Sequence, residues 1–249
     1  MDSLGPEILA LLFGALMLGG TVKGVVGIAY PMVAMSLMSS LIEVPTAVIL
    51  VILPSVASNL LQSGVTRGSC TLVGRFWPVI LPLGMGLWWS AGMIAEARPE
   101  NLFIALGIII VTFSVLSLYT PNLRIPRHAE RWAGTVAGIL SGLMGGFSSI
   151  FGPPITMYLV ALDLEKEVFI RSIGLIFFSG SSMLAIFYWA HGVLHPGNIA
   201  WSIAACLPVV LGYGFGQWVR GYANRDLFRK LLLGALILVG LNLLRRGLV

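Results

Sequence analysis

The chain has 249 residues, 57% of them hydrophobic and only 10% charged, whereas about a quarter of the residues of a soluble domain are charged. That balance excludes an ordinary soluble domain and points to a polytopic membrane protein. The formal net charge of +5 is no sign of nucleic-acid binding here, because in a membrane protein the placement of Lys and Arg carries more information than their sum.

From the N-terminus, "MDSLGPEILALLFGALMLGG" has acidic Asp2 and Glu7 where a secretory signal would be basic, and it has no small-residue cleavage pattern. It is read as a retained first segment. Apolar runs then recur at about 5–22, 24–40, 45–63, 73–95, 101–119, 132–151, 153–162, 168–190, 198–219 and 227–244. Each is long enough, or nearly so, to cross ~30 Å of hydrocarbon. The expected fold is therefore all-α, a single integral membrane domain over 1–249 with about eight to ten hydrophobic segments. Segments one and two form a hairpin around Lys23, and segments six and seven another around Gly152, Pro153 and Pro154; each hairpin either crosses fully or re-enters.

Either choice leaves the same topology downstream. Alternating segments place Lys23, Arg67, Arg75, Arg124, Arg127, Arg131, Lys166, Arg171, Arg220, Arg225, Arg229 and Lys230 on one side, 12 of the 15 basic residues. Positive charge marks the cytoplasmic face, so both termini are expected outside, with Arg245 and Arg246 as the discordant pair.

Placing Pro31 on Pro153 aligns two halves of the chain, about 5–119 and 131–246. Lys23 then falls on Gly145, Gly24 on Gly146 and Glu43 on Glu165. After a short insertion "LPLGMGLWWSAGMIAEARPENLF" matches "LPVVLGYGFGQWVRGYANRDLF". Five segments per half is an odd number, so the second copy enters from the opposite face as an inverted repeat.

Both halves carry a break near their start, "GGTVKGVVGIAYP" from Gly19 to Pro31 and "GGFSSIFGPPIT" from Gly145 to Thr156. Unpaired backbone in lipid costs several kcal/mol, and breaks at matching positions of two inverted halves point to a transporter's binding site. A helix opening at Pro153 or Pro154 turns its positive end toward an anion, and Lys23, Gly24 and Gly27 bring a cation and flexible backbone to the other break. A membrane-embedded lysine costs ~2.5 to 3.5 kcal/mol on insertion scales; snorkelling and an anion site are both open readings.

Asn59 and Gln62 share a helical face, and Ser181 lies at the corresponding depth of the other half. These residues, with Ser148, Ser149 and Gly152, either line the substrate path or hydrogen-bond between helices. Arg171 is the candidate gate on the cytoplasmic side.

The ten acidic residues all sit at a terminus or in a connection, which leaves no carboxylate relay for protons and no acidic cation site. His191 and His195 have i, i+4 spacing without a third ligand, and Cys70 and Cys206 match no metal or redox spacing. The tryptophans fall toward segment ends, as interfacial anchors do. No hydrolase, zinc-protease or P-loop pattern is present, so no enzyme, metal or cofactor is expected.

The stretches "GGTVKGVVGIAYPMVAMSLMSSLIEVPTAVILVILPSVASNLLQ" and "AGILSGLMGGFSSIFGPPITMYLVALDLEKEVFIRS" resemble the two halves of the TauE/SafE family of sulfite and organosulfonate exporters. Ser148 and Ser149 stand where small Gly or Thr residues are common. The resemblance implies a multi-pass bacterial inner-membrane transporter of small sulfur-containing anions such as sulfite, thiosulfate or sulfoacetate. The expected partners are that anion and the bilayer, with self-association left open. A passive anion channel and a non-transporting membrane scaffold are the alternatives.

Overall fold

Long apolar runs interrupted by glycine and proline fold, in the computed structural model, into helices joined by short turns. The structure describes residues 5–63, 69–94, 98–118 and 124–220, and near the C-terminus 234, 237–238, 240–245 and 247–248. The tenth expected segment, and Arg67, Arg225, Arg229, Lys230 and Arg246, lie wholly or largely outside these residues.

The helices are α1 (Pro6–Val26), α2 (Tyr30–Met38), α3 (Val44–Ser63), α4 (Ser69–Met93), α5 (Pro99–Leu118), α6 (Glu130–Ser148), α7 (Gly152–Ala161), α8 (Lys166–Ala190), α9 (Ile199–Ala204) and α10 (Cys206–Val219), with a short 3-10 turn, η1 (Arg127–Ala129), before α6. No strand occurs among the described residues. Four helical stretches, Pro6–Val26, Val44–Ser63, Val168–Ala190 and Ile199–Val219, are long and apolar enough to cross a membrane. At ~1.5 Å per residue each exceeds the hydrocarbon thickness or nearly does.

One feature differs from the sequence reading. The first hairpin turns past Lys23, not around it, because α1 continues to Val26 and ends on Gly27, whose φ of 89° is left-handed. A left-handed residue, for which glycine has no steric penalty, decides where the helix stops; the charge does not.

The chain packs as two compact units: Met1–Pro54 with Ala97–Tyr119 and Pro196–Val249, and Ser55–Glu96 with Thr120–His195. Each draws on both halves of the sequence. In the first unit α1 packs along α10 and folds back on α2. In the second α4 packs along α6, and α8 lies against α4 and α7.

The two long helix pairs approach closely, and glycine is the reason. A Cβ at Gly20 would strike the backbone of Val209, and one at Gly24 the backbone of Tyr213, Gly216 and Gln217. In the second unit a Cβ at Gly142 would strike Leu83, Gly86 and Leu87, and one at Gly146 would strike Ser90 and Ala91. Membrane helices associate through such small residues, since lipid offers no hydrophobic drive between them and close packing has to supply it.

Candidate functional site

The first break lies in the first unit. Gly27 N–H donates to Lys23 O at 2.7 Å and closes α1; Ala29 is left-handed as well, with φ 78°. The helix α2 then opens on Tyr30 with Pro31 in its first turn, and Val33 N–H returns to Ala29 O at 3.0 Å. Lys23 sits in the last turn of α1 and is 2% exposed; Gly24 is buried beside it and Gly27 is half-buried. Lys23 is therefore a helix residue held deep in the unit and not a loop residue.

The second break lies in the second unit and closes the same way. Ser149, with φ 59°, is left-handed, and its N–H donates to Gly145 O at 2.7 Å. The helix α7 opens on Gly152, with Pro153 and Pro154 in its first turn. Prolines have no N–H, so they shorten the list of free donors that a helix N-terminus usually presents.

A continuous helix would pair Ile150 N–H with Gly146 O. The left-handed turn at Ser149 removes that bond, and two side chains replace its ends. Ile150 N–H donates to Ser148 Oγ at 3.1 Å, and Gly146 O accepts from Tyr188 Oη at 2.6 Å. Ser148 Oγ in turn donates to Met144 O at 2.6 Å. With the Tyr188 proton committed to Gly146 O, Ser149 Oγ is the donor in its 3.4 Å contact with Tyr188 Oη. On the same residue, Gly146 N–H reaches Ser90 Oγ at 3.1 Å, and that hydroxyl also bonds Gly142 O at 2.8 Å. Ser148, Ser149 and Tyr188 are all fully or almost fully buried.

Farther along the same unit, Asn59 Nδ2 donates to Phe177 O and to Ser181 Oγ, each at 3.2 Å. The pair ties α3 to α8, and Ser181 Oγ also bonds Phe177 O at 2.8 Å. Gln62 is half-buried one turn on, near the point where α3 and α8 touch at Ser63 and Gly174. Phe177 also lies edge-on to Phe151, with ring centroids 5.6 Å apart, and its ring covers Gly152. Arg171, near the start of α8, is exposed.

Thus Lys23, Gly24 and Gly27 form one group in the first unit. Ser148, Ser149, Gly152, Pro153 and Pro154 form another in the second, and Asn59 with Ser181 makes a third cluster there. Sequence reasoning passed over Tyr188 and Ser90. Tyr188 sits in "AIFYWAHG", where it reads as one more helix-end aromatic, and Ser90 in "WWSAG" as a small packing residue. The available signal was the break itself: once the chain turns at Ser149, the Gly146 carbonyl and the Ile150 amide lose each other and each needs another partner.

Among the described residues no three His, Cys, Asp or Glu side chains gather as metal ligands. The chain has no match among curated proteins or among solved structures. A family model described as sulfite exporter TauE/SafE does match, over residues 12–243. That span contains both breaks and both glycine-packed helix pairs, and the chain belongs to the TauE/SafE sulfite exporter family.

Proposed function

We propose that the protein is a secondary transporter that exports small sulfur-containing anions, such as sulfite, thiosulfate or organosulfonates, across the bacterial plasma membrane. Membership of a sulfite exporter family carries this reading. Two local features support it: a buried lysine beside one helix break, and a second break at the matching place in the other half.

The halves are read as an inverted repeat, about 5–119 and 131–246, within one membrane domain. The spacing that sets Pro31 on Pro153 also relates the end of α1 to that of α6 and the starts of α2 and α3 to those of α7 and α8. It relates the Gly27 cap to the Ser149 cap as well. Combined with the spacing that sets Leu81 on Leu207, it relates Gly20 against Val209 to Gly142 against Leu83, and Gly24 against Gly216 to Gly146 against Ser90. One helix-pair design built twice accounts for all of these.

In this reading Lys23 supplies the charge that draws the anion. Backbone amides of the two breaks, with Asn59, Gln62, Ser181 and the Ser148 and Ser149 region, shape the path, and Arg171 gates the cytoplasmic mouth. Both termini face outward. An inside-negative potential of 100 mV contributes ~2.3 kcal/mol per charge. That sustains a roughly fifty-fold outward gradient of a monovalent anion without a coupling ion.

The test is flux of labelled sulfite, thiosulfate and sulfoacetate in proteoliposomes of purified protein, with the potential clamped at zero and then made inside-positive. Saturable uptake, exchanged in counterflow, accelerated by the potential and lost in Lys23→Ala at normal folded yield, is the expected result. Conductance far above carrier turnover without counterflow would make the protein a channel, and no flux of any anion would remove the transport reading.

A further inference from the structure

We propose that Tyr188 is a positioning residue of the second break: its hydroxyl holds the turn Gly146–Gly152 in one shape, and anion binding depends on that shape although Tyr188 itself does not touch the anion. The functional part of this inference rests on the transport reading above; the structural part does not.

The break removes one helix bond, that of Ile150 N–H to Gly146 O. Left unreplaced, Gly146 O and Ile150 N–H would be buried without partners, an unfavourable state in a membrane interior. Ser148 resolves the amide from within the turn. No group of the turn resolves the carbonyl; Tyr188 does so from α8, at 2.6 Å. Phenol is a strong donor, the side chain is completely buried, and water therefore does not compete for the carbonyl.

The same hydroxyl then reads the left-handed residue itself through Ser149 Oγ, while Ser90 on α4 holds the amide of Gly146. One peptide segment is thus pinned at its carbonyl from α8 and at its amide from α4. The amide of Gly152, which opens α7, follows directly from this turn and inherits its orientation.

The experiment compares the full-length protein with Tyr188→Phe, which keeps the ring and deletes only the hydroxyl. Hydrogen exchange across residues 146–152, read by mass spectrometry in detergent, is expected to accelerate at least tenfold, with exchange in α3 and α5 unchanged. In proteoliposomes the half-saturating sulfite concentration should rise at least five-fold while the maximal rate changes less than two-fold. Equal acceleration throughout the protein, or none at 146–152, would overturn the assignment. Incorporating 3-fluorotyrosine at 188 keeps the hydroxyl and makes it a stronger donor, so exchange of the same turn should slow; unchanged exchange there would likewise overturn it. If wild-type protein carries no anion yet the exchange responds as stated, the transport reading fails and the positioning of the turn stands. If flux is normal and the exchange does not move, the reverse holds.

Discussion

The two breaks share a cap and differ in what surrounds it. At the first, the chain uses backbone freedom: Gly27 and Ala29 are both left-handed, and Val26 stands where the second break has Ser148, so no hydroxyl at that place accepts the Ile28 amide. At the second, only Ser149 is left-handed, Phe151 has an ordinary φ of −105°, and Ser148, Ser90 and Tyr188 replace or reinforce backbone bonds. Two breaks of one outline have taken different chemistry: the second spends Ser148, Ser90 and Tyr188 on its own backbone, and the first has a buried lysine one turn before its left-handed cap. In the transport reading proposed above, the second break acts as a fixed wall and the first as the binding element.

The strongest way to break this comparison is to separate the helices that carry the breaks. Gly24→Val and Gly146→Val each drive a branched side chain into the backbone of the facing helix, where nothing flexible can yield. Overpacking costs typically 1–3 kcal/mol and more where backbone must move, so both variants should lose most of their folded yield, measured by monodispersity in size-exclusion chromatography. Gly14→Ala is the control: a Cβ there meets nothing within 4 Å, and helix propensity favours the change by about 1 kcal/mol.

The next effect concerns the replaced bond. Ser148→Ala removes the acceptor of the Ile150 amide, and an orphaned buried group costs about 1–3 kcal/mol. Its melting temperature should fall. Val26→Ser is the reverse experiment in the first break: a hydroxyl at that position can take the Ile28 amide, which should stabilise the protein and weaken anion flux. Stabilisation with unchanged flux would show that the amide is not part of the binding element.

Much of this arrangement is legible in the sequence, and for a definite reason. Glycine and proline inside apolar runs have few uses in lipid, so the breaks at Gly27–Pro31 and Ser149–Pro154 stand out, and a fixed spacing links them. The helical class follows from the same runs, as the all-helical described residues show. The exact turn does not follow, because a charge such as Lys23 marks polarity and not chain direction, and the left-handed Gly27 ends the helix four residues later. Nor do the roles of the polar residues. Asn59 and Ser181 differ in sequence position by most of the chain between α3 and α8, yet they meet as one bond, and Tyr188 reads as interfacial until the carbonyl it serves is known. Periodicity reports which face of a helix is apolar; it carries no information on which distant carbonyl has lost its amide.

Strain gives a smaller test. Ala29 holds φ 78°, a region that costs a residue with a Cβ about 1–2 kcal/mol, so Ala29→Gly should raise the melting temperature by a few degrees at most. The gain is reduced because glycine also has more entropy to lose on folding. No such gain is available at Phe151, whose φ is negative, and Phe151→Gly should instead destabilise by removing the ring that meets Phe177 edge-on.

The smallest expected effect lies at the ends of the two long helix pairs. Arg75 and Glu130 join α4 to α6 through a two-pronged ion pair, at 2.7 and 3.1 Å. The spacings that relate the pairs put Trp201 and Ile8 at the corresponding places of α10 and α1, so this link belongs to the second pair alone. Arg75 is 41% exposed, and solvent-exposed pairs contribute at most about 1 kcal/mol. Glu130→Gln should therefore lower the melting temperature only slightly, and less at high salt than at low. A large loss would mean that the second pair is held mainly at its end, whereas a small one leaves the glycine contacts along α4 and α6, which α1 and α10 have too, as the common means by which both breaks are held.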